Sequence, residues 1–318
     1  MHIYRYVTNY RSNDKCSFSQ HQKKRAILFV LSFLCFGALF LTNCKKEKDP
    51  VSPQLSFIND SGLIFQDTAM KAGSSFNFGL TAEMGDHTLT NLYIARYFEG
   101  GMEVMVDSGI HNETFTYYGM LNKGVYDTEL WKFRVKDLAG QWAEVSFTLS
   151  NLPGSNYDPV VSVSSIIMGA QQCSTNGSFL DVKNSVVYFQ DEAFLIQDSI
   201  ELLYYYDPAG DANTISSPNA NIDVSIYTGP TSLPFWTVKN ETRFVETTIS
   251  PAQFDAVVND SLPIAIFDQL NAKRKAKNLL SGEVYSFKTA RGKFGLFKVL
   301  NVVGAETGTV ECAIKIQP

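Results

Sequence analysis

The alternation of apolar and polar residues predicts a chain built mainly from β-strands. Residues 75–80, Ser-Phe-Asn-Phe-Gly-Leu, alternate in this way, which is typical of a strand that buries one face. Between residues 53 and 152, about seven runs of this kind are separated by turn residues such as Gly100 and Gly140. Short strands at this spacing predict a β-sandwich, and we expect Trp131 and Trp142 to lie in its core.

A second strand-rich region follows residues 153–159, which are dense in turn formers and predict a linker. Within residues 160–318, the runs at 283–289, 293–303 and 309–316 predict an antiparallel meander. Ser250, Pro251 and Gln253 predict a helix start with a capping box. A further helical stretch is expected within 266–280. The predicted fold class is therefore all-β, a sandwich followed by a second antiparallel domain with one or two short helices.

The amino-terminal segment has the pattern of a secretory signal. Three basic residues at 23–25 precede an uncharged run at 26–41, and Cys44 follows shortly after. The run is shorter than the ~20 residues of a comfortable membrane span, which disfavours a permanent transmembrane helix. With its terminal cysteine, the segment resembles a bacterial lipoprotein signal, which implies cleavage before Cys44 and acylation of that residue. An ordinary secreted protein and a signal anchor are the alternatives.

Residues 45–50 form a short charged tether that ends in a proline. The tether resembles the stretch that follows the lipidated cysteine in surface lipoproteins of the Bacteroidota. This resemblance implies an outer-membrane location, with the protein facing outward. The predicted organisation is a signal peptide with an amino-terminal extension at 1–43, a lipidated cysteine and tether at 44–52, the sandwich at 53–152, the linker, and the second domain at 160–318.

The charge of the chain argues against nucleic acid as a partner. The whole chain has 27 Lys and Arg against 32 Asp and Glu, a net charge of −5. Residues 1–43 contain mostly basic charges, so the chain from Cys44 onward is more acidic still. Such a surface repels phosphate backbones. We therefore expect membrane attachment through lipid rather than through a basic patch.

Histidine and cysteine limit the chemistry that is available. After the signal, the only histidines are His87 and His111, both before residue 152, so the second domain has no histidine-dependent site. Cys173 and Cys312 could form a disulfide in an oxidising compartment, or they could be two buried thiols. No motif for a metal or cofactor is present, and we expect neither.

Three sets of side chains are candidates for ligand contact. Sugars stack on exposed rings, and Tyr204, Tyr206, Tyr227 and Trp236 could supply them, although alternate aromatics in strands are more often core. The basic stretch 273–277 could bind an acidic glycan or a lipid headgroup, or it could be a solvated helix face. Paired carboxylates could serve a glycosidase; the nearest set is Asp191, Glu192, Asp198, Glu201 and Asp207.

The sequence from Trp131 to Leu149, W-x-F-x-V-x-D-x-x-G-x(6)-F-T-L, resembles bacterial immunoglobulin-like or PKD-like modules. Such modules serve as spacers or adhesion units. The second domain is similar to uncharacterised lipoprotein domains of the same bacterial group, and no activity comes with that similarity. We expect a non-enzymatic protein that binds a glycan or a protein. The alternatives are a structural envelope lipoprotein and, last, a carboxylate-dependent hydrolase.

Overall fold

The strands of the described chain form four sheets, which pack in two pairs. The structure is a computed structural model that describes residues 49–154 and 156–318, and residues 51–318 form one compact unit. The predictions for the signal peptide, for Cys44 and for most of the tether lie outside the described residues. Within the described part, no helix is long and apolar enough to cross a membrane.

The first pair of sheets is a β-sandwich. One sheet has the order β1-β3-β6, and the other has the order β2-β8-β7-β4-β5, with only β2 parallel to its neighbour. Their bounds are β1 Gln54–Phe57, β2 Thr68–Ala69, β3 Ser75–Glu83, β4 Leu89–Phe98, β5 Gly101–Asn112, β6 Thr114–Asn122, β7 Thr128–Asp137 and β8 Trp142–Ser150. This arrangement confirms the predicted immunoglobulin-like sandwich.

Alternation along the strands fills the sandwich core. Trp131 and Phe133 point inward from β7, and Phe76 and Phe78 point inward from β3. The ring of Phe76 lies 5.1 Å from that of Trp131, which confirms Trp131 as a core residue. The same prediction for Trp142 is wrong, because its position in β8 places the ring on the outer face, 46% exposed and beside Lys136.

The second pair of sheets is entirely antiparallel. One sheet has the order β14-β16-β17-β18-β9, and the other has the order β11-β10-β12-β13-β15. Their bounds are β9 Val161–Gly169, β10 Phe179–Asp181, β11 Val186–Tyr188, β12 Leu202–Asp207, β13 Ala212–Ser216, β14 Arg243–Glu246, β15 Lys275–Lys277, β16 Val284–Lys288, β17 Phe294–Val303 and β18 Thr309–Ile316. The last three strands are the predicted meander.

Three short α-helices connect these strands in the described chain: α1 Gln190–Leu195, α2 Pro251–Asp255 and α3 Ser261–Ile266. The predicted capping box at α2 is confirmed, because Ser250 and Gln253 exchange hydrogen bonds between side chains and backbone N–H groups. The prediction of a helix across 266–280 is wrong. Asp268 accepts bonds from the backbone N–H groups of Leu270 and Asn271, and this turn replaces the helical bonds. Strand β15 follows the turn.

The sandwich and the second pair of sheets are in direct contact. The amide of Asn122 donates to the carbonyl oxygens of Gly73 and Gly292, at 3.0 and 2.9 Å. Beside this contact, Ala72, Ile264 and Phe294 form a small buried cluster. The two regions therefore share a packed junction.

The predicted linker lies at this junction. The backbone N–H of Asp158 donates to Asp260, and its carboxylate forms an ion pair with Lys71 at 2.7 Å. Pro153 and Gly154 remain exposed. The division into two domains at 153–159 stays a prediction.

Candidate binding cleft

The aromatic residues singled out for sugar stacking lie mainly in the core. Tyr204, Tyr227 and Trp236 are 0%, 4% and 5% exposed. The Tyr227 hydroxyl donates to the Tyr204 carbonyl at 2.6 Å, and the Trp236 indole N–H donates to the Thr231 carbonyl at 2.9 Å. Burial raises the pKa of the Tyr204 and Tyr227 hydroxyls. These three rings have the core environment that we weighed as the alternative to sugar binding.

Tyr206 is the partly exposed member of the set, and its hydroxyl donates to Asp211. Its side chain packs against the buried cluster between the two sheets. The rings of Tyr227 and Trp236 pack instead on Phe179, with centroids 4.9 and 5.4 Å away. A sugar could stack on these two rings only if the core opened.

Both candidate cysteines are free thiols, but only Cys312 is buried as the second of our two alternatives expected, and Cys173 is partly exposed. Cys312 is fully buried between the sheets, and burial raises its pKa. Cys173 lies in a turn. Burial alone would raise the pKa of this thiol. Hydrogen bonds with Thr175 and Asn176 together lower it by a larger amount, so the pKa lies below its usual value.

Four of the five acidic residues that could serve a glycosidase, Asp191, Glu192, Glu201 and Asp207, bind local partners. Glu201 is buried and forms an ion pair with Arg291, although burial still raises the pKa of its carboxyl. Glu192 accepts a bond from the backbone N–H of Phe189 at the start of α1. In residues 49–154 and 156–318, no group of three or more His, Cys, Asp or Glu side chains is arranged to hold a metal ion.

A cavity of about 780 Å³ opens between β14 and β15, the edge strands of the two carboxy-terminal sheets. Phe244 and Lys273 join these strands by two backbone hydrogen bonds of 2.7 and 2.8 Å. Beyond this bridge, no further backbone bond joins β14 to β15 within the described chain. We call the space that results the basic cleft; it is lined by Ala220, Asn221, 244–246, Asn271, 273–278 and Tyr285.

The floor of the basic cleft is apolar and its rim is charged. Phe244, Ala276 and Tyr285 are almost completely buried and belong to the core between the two sheets. The rim contains Lys273, Arg274, Lys275 and Lys277, with Glu246 on the opposite strand. Five of the thirteen lining residues are charged and three are asparagines, so the basic cleft is mainly polar above a small apolar floor.

The cations of the rim are mostly without carboxylate partners. Within the described residues, only Lys277 of these four forms an ion pair, with Asp207 at 3.4 Å. Arg274 and Lys275 donate instead to the carbonyl oxygens of Asn219 and Asn221. Burial and the nearby charge of Lys277 lower the pKa of Lys275. The positive charge is therefore crowded, and Asp207 and Glu246 offset only part of it.

Comparison with known proteins yields distant structural likenesses. No protein-family model and no curated protein match the chain. Among solved structures, the fibronectin(III)-like modules of Clostridium thermocellum CbhA are similar at 9% identity and a TM-score of 0.22, over 74% of this chain and 84% of that one.

A cycloalternan-degrading enzyme from Trueperella pyogenes is similar at 10% identity and a TM-score of 0.19, over 78% of this chain and 32% of that one. Both TM-scores are low, so neither likeness bears on the function of this chain.

Proposed function

We propose that this protein is a non-catalytic binding protein whose basic cleft holds an acidic ligand. The observation that carries the proposal is the crowding of Lys273, Arg274, Lys275 and Lys277 around an apolar floor, with one carboxylate partner among them. Cations without carboxylate partners gain most from a ligand that brings negative charge.

The rest of the molecule makes this cleft distinctive. The chain as a whole has a net charge of −5, so a positive cleft stands out from an acidic surface. Such a surface repels most acidic molecules at long range and leaves the cleft as the place where they bind. The proposal includes a lipid anchor on Cys44 at the outer membrane, which would present the cleft to ligands outside the cell.

The test is a binding titration on residues 49–318 with two acidic probes, fluorescent poly-glutamate and polygalacturonate. The informative variant is Lys273→Glu with Lys277→Glu, which reverses two exposed cations of the rim. The matched control is Lys183→Glu with Lys239→Glu, which makes the same change of charge at two exposed lysines outside the cleft.

We expect the native protein to bind at least one probe, and the cleft variant to bind about tenfold or more weakly, since each buried or crowded charge contact contributes on the order of 1 kcal/mol. The control should remain within about twofold of native affinity. An equal loss in both variants would mean that net charge alone governs binding. No binding of either probe by folded protein would contradict the proposal.

A further inference from the structure

We infer that the acidic ligand is an extended polypeptide segment that pairs with β15 as an added antiparallel strand. This inference rests on the proposed function and names the class of ligand that the basic cleft holds. The inference depends on the backbone of the two strands that form the walls of the cleft, as well as on the charges of their side chains.

The backbone of β15 has a free edge toward the cleft. The carbonyl of Arg274 accepts a bond from the N–H of Ser217, so Arg274 and, by alternation, Ala276 direct their backbone groups toward β13. Lys273 directs both of its backbone groups toward Phe244. Lys275 and Lys277 lie two and four residues after Lys273 on the strand. Their N–H and C=O groups therefore point to the same side as those of Lys273, into the cleft.

The opposite wall has the same character. The N–H of Thr247 donates to Val284 on β16, and Phe244 uses its backbone groups toward Lys273. Because alternate residues point their backbone groups to opposite sides, those of Glu246 also face the cleft. Both walls line the cleft, and because the bridge is antiparallel, Glu246 lies on its Asn271 side while Lys275 and Lys277 extend from it in the other direction.

A sheet edge with unpaired N–H and C=O groups is a template for another strand. Sugars and lipid headgroups do not carry the regular series of donors and acceptors that such an edge matches, whereas a polypeptide does. The charge of the rim then selects among polypeptides, because Lys273, Lys275 and Lys277 favour an acidic segment.

The geometry also specifies the pattern of that segment. The side chains of Lys275 and Lys277 lie on one face of the sheet, and that of Ala276 lies on the other, toward the core. In an added antiparallel strand, residues opposite the two lysines would be acidic. Residues opposite Ala276 would be apolar and would contact Phe244 and Tyr285 on the floor. The ligand is therefore a segment in which acidic and apolar residues alternate.

Synthetic peptides test both the pattern and the pairing. The probe is a seven-residue peptide with Glu at odd and Val at even positions, compared with a peptide of the same composition in which the Glu residues are consecutive. Two further peptides carry N-methyl groups, on the central Glu residues or on the two outer Val residues. Residues opposite Lys275 and Lys277 exchange backbone bonds with them, so N-methylation of Glu removes donors to β15, whereas N-methylation of Val does not.

We expect the alternating peptide to bind at least about tenfold more tightly than its rearranged partner. N-methylation of Glu should weaken binding about tenfold or more, and N-methylation of Val by about threefold or less. The Lys273→Glu, Lys277→Glu variant should bind the alternating peptide weakly.

Two results would overturn strand addition and leave the proposed function standing. One is equal binding of the alternating, rearranged and N-methylated peptides, which would indicate attraction of charge alone. The other is binding of polygalacturonate by a protein that binds none of the peptides. Failure of every acidic probe would overturn both the inference and the proposed function.

Discussion

Two neighbouring regions of the second pair of sheets use their polar groups in opposite ways. Behind the sheet of β12 and β13, Phe179, Tyr227 and Trp236 form an aromatic cluster in which the polar atoms of Tyr227 and Trp236 have internal partners. At the β15 edge of the same sheet, backbone groups face the basic cleft, and among its four cations in the described chain only Lys277 has a carboxylate partner.

The difference shows where binding capacity resides in this molecule. A polar group that is buried and already hydrogen-bonded stabilises the fold and has little left to offer a ligand. A crowded cation or an unpaired edge gains from an external partner. Substitutions in the aromatic cluster should therefore change stability, and substitutions in the cleft should change binding.

The largest expected effect on stability is that of Trp236→Ala. This change removes a ring that is 5% exposed and packed on Phe179, and it should lower the free energy of unfolding by about 3 to 5 kcal/mol. Urea denaturation measures the loss. Trp142→Ala, at a ring that is 46% exposed, is the matched control and should cost about 1 kcal/mol or less. Equal losses in the two variants would contradict the assignment of Trp236 to the core.

A second comparison is between a half-buried cation, Lys288, and an exposed one, Lys273. Lys288 lies 5.5 Å from the centre of the Phe294 ring, and burial, aided by Arg96, lowers its pKa to about 8. Since the folded protein then binds fewer protons than the unfolded chain between about pH 8 and pH 10.5, native stability should rise with pH across that window.

Lys288→Met removes this cost of burying a charge. We expect the variant to be more stable than native protein by about 2 kcal/mol at pH 7, a gain that shrinks toward pH 10. Lys273→Met, at an exposed lysine, should change stability by about 0.5 kcal/mol or less at both pH values. A gain for Lys288→Met that is the same at pH 7 and pH 10 would rule out the charge as its cause.

The smallest of these effects comes from a single hydroxyl. Tyr227→Phe removes the donor to the buried Tyr204 carbonyl and should cost about 1 to 2 kcal/mol in thermal or urea unfolding. Tyr206→Phe removes a hydroxyl that donates to exposed Asp211, and its cost should be about 0.5 kcal/mol or less. A larger loss of unfolding free energy for Tyr206→Phe than for Tyr227→Phe would contradict this expectation.

Much of the fold could be predicted because it depends on local patterns. Alternation identified the strands of the sandwich, the capping box at Ser250 identified α2, and Trp131 was expected in the core. In β8 the alternation places Ala143, Val145, Phe147 and Leu149 on the core face, so Trp142 lies on the outer face, opposite to the side we expected. In 273–277, Ala276 is the only apolar residue, too little to distinguish a strand from a helix.

The cleft itself depends on contacts between distant parts of the chain. The basic stretch was visible in the sequence, but its surroundings depend on a bridge between Lys273 and Phe244. Neither this bridge nor the free edge of Glu246 leaves a local pattern of residues. The aromatic residues were the more conspicuous candidates because rings serve both cores and sugar sites, and only their burial separates the two roles.

Amide hydrogen exchange followed by NMR, with and without the alternating acidic peptide, tests the central claim most directly. In the free protein, the Lys275 and Lys277 amides should exchange faster than that of Ala276, which pairs with β13. A saturating peptide should slow exchange at both lysines and leave the amides around Trp236 unchanged. Saturation without slower exchange at Lys275 and Lys277, or with protection confined to the aromatic cluster, would contradict the account.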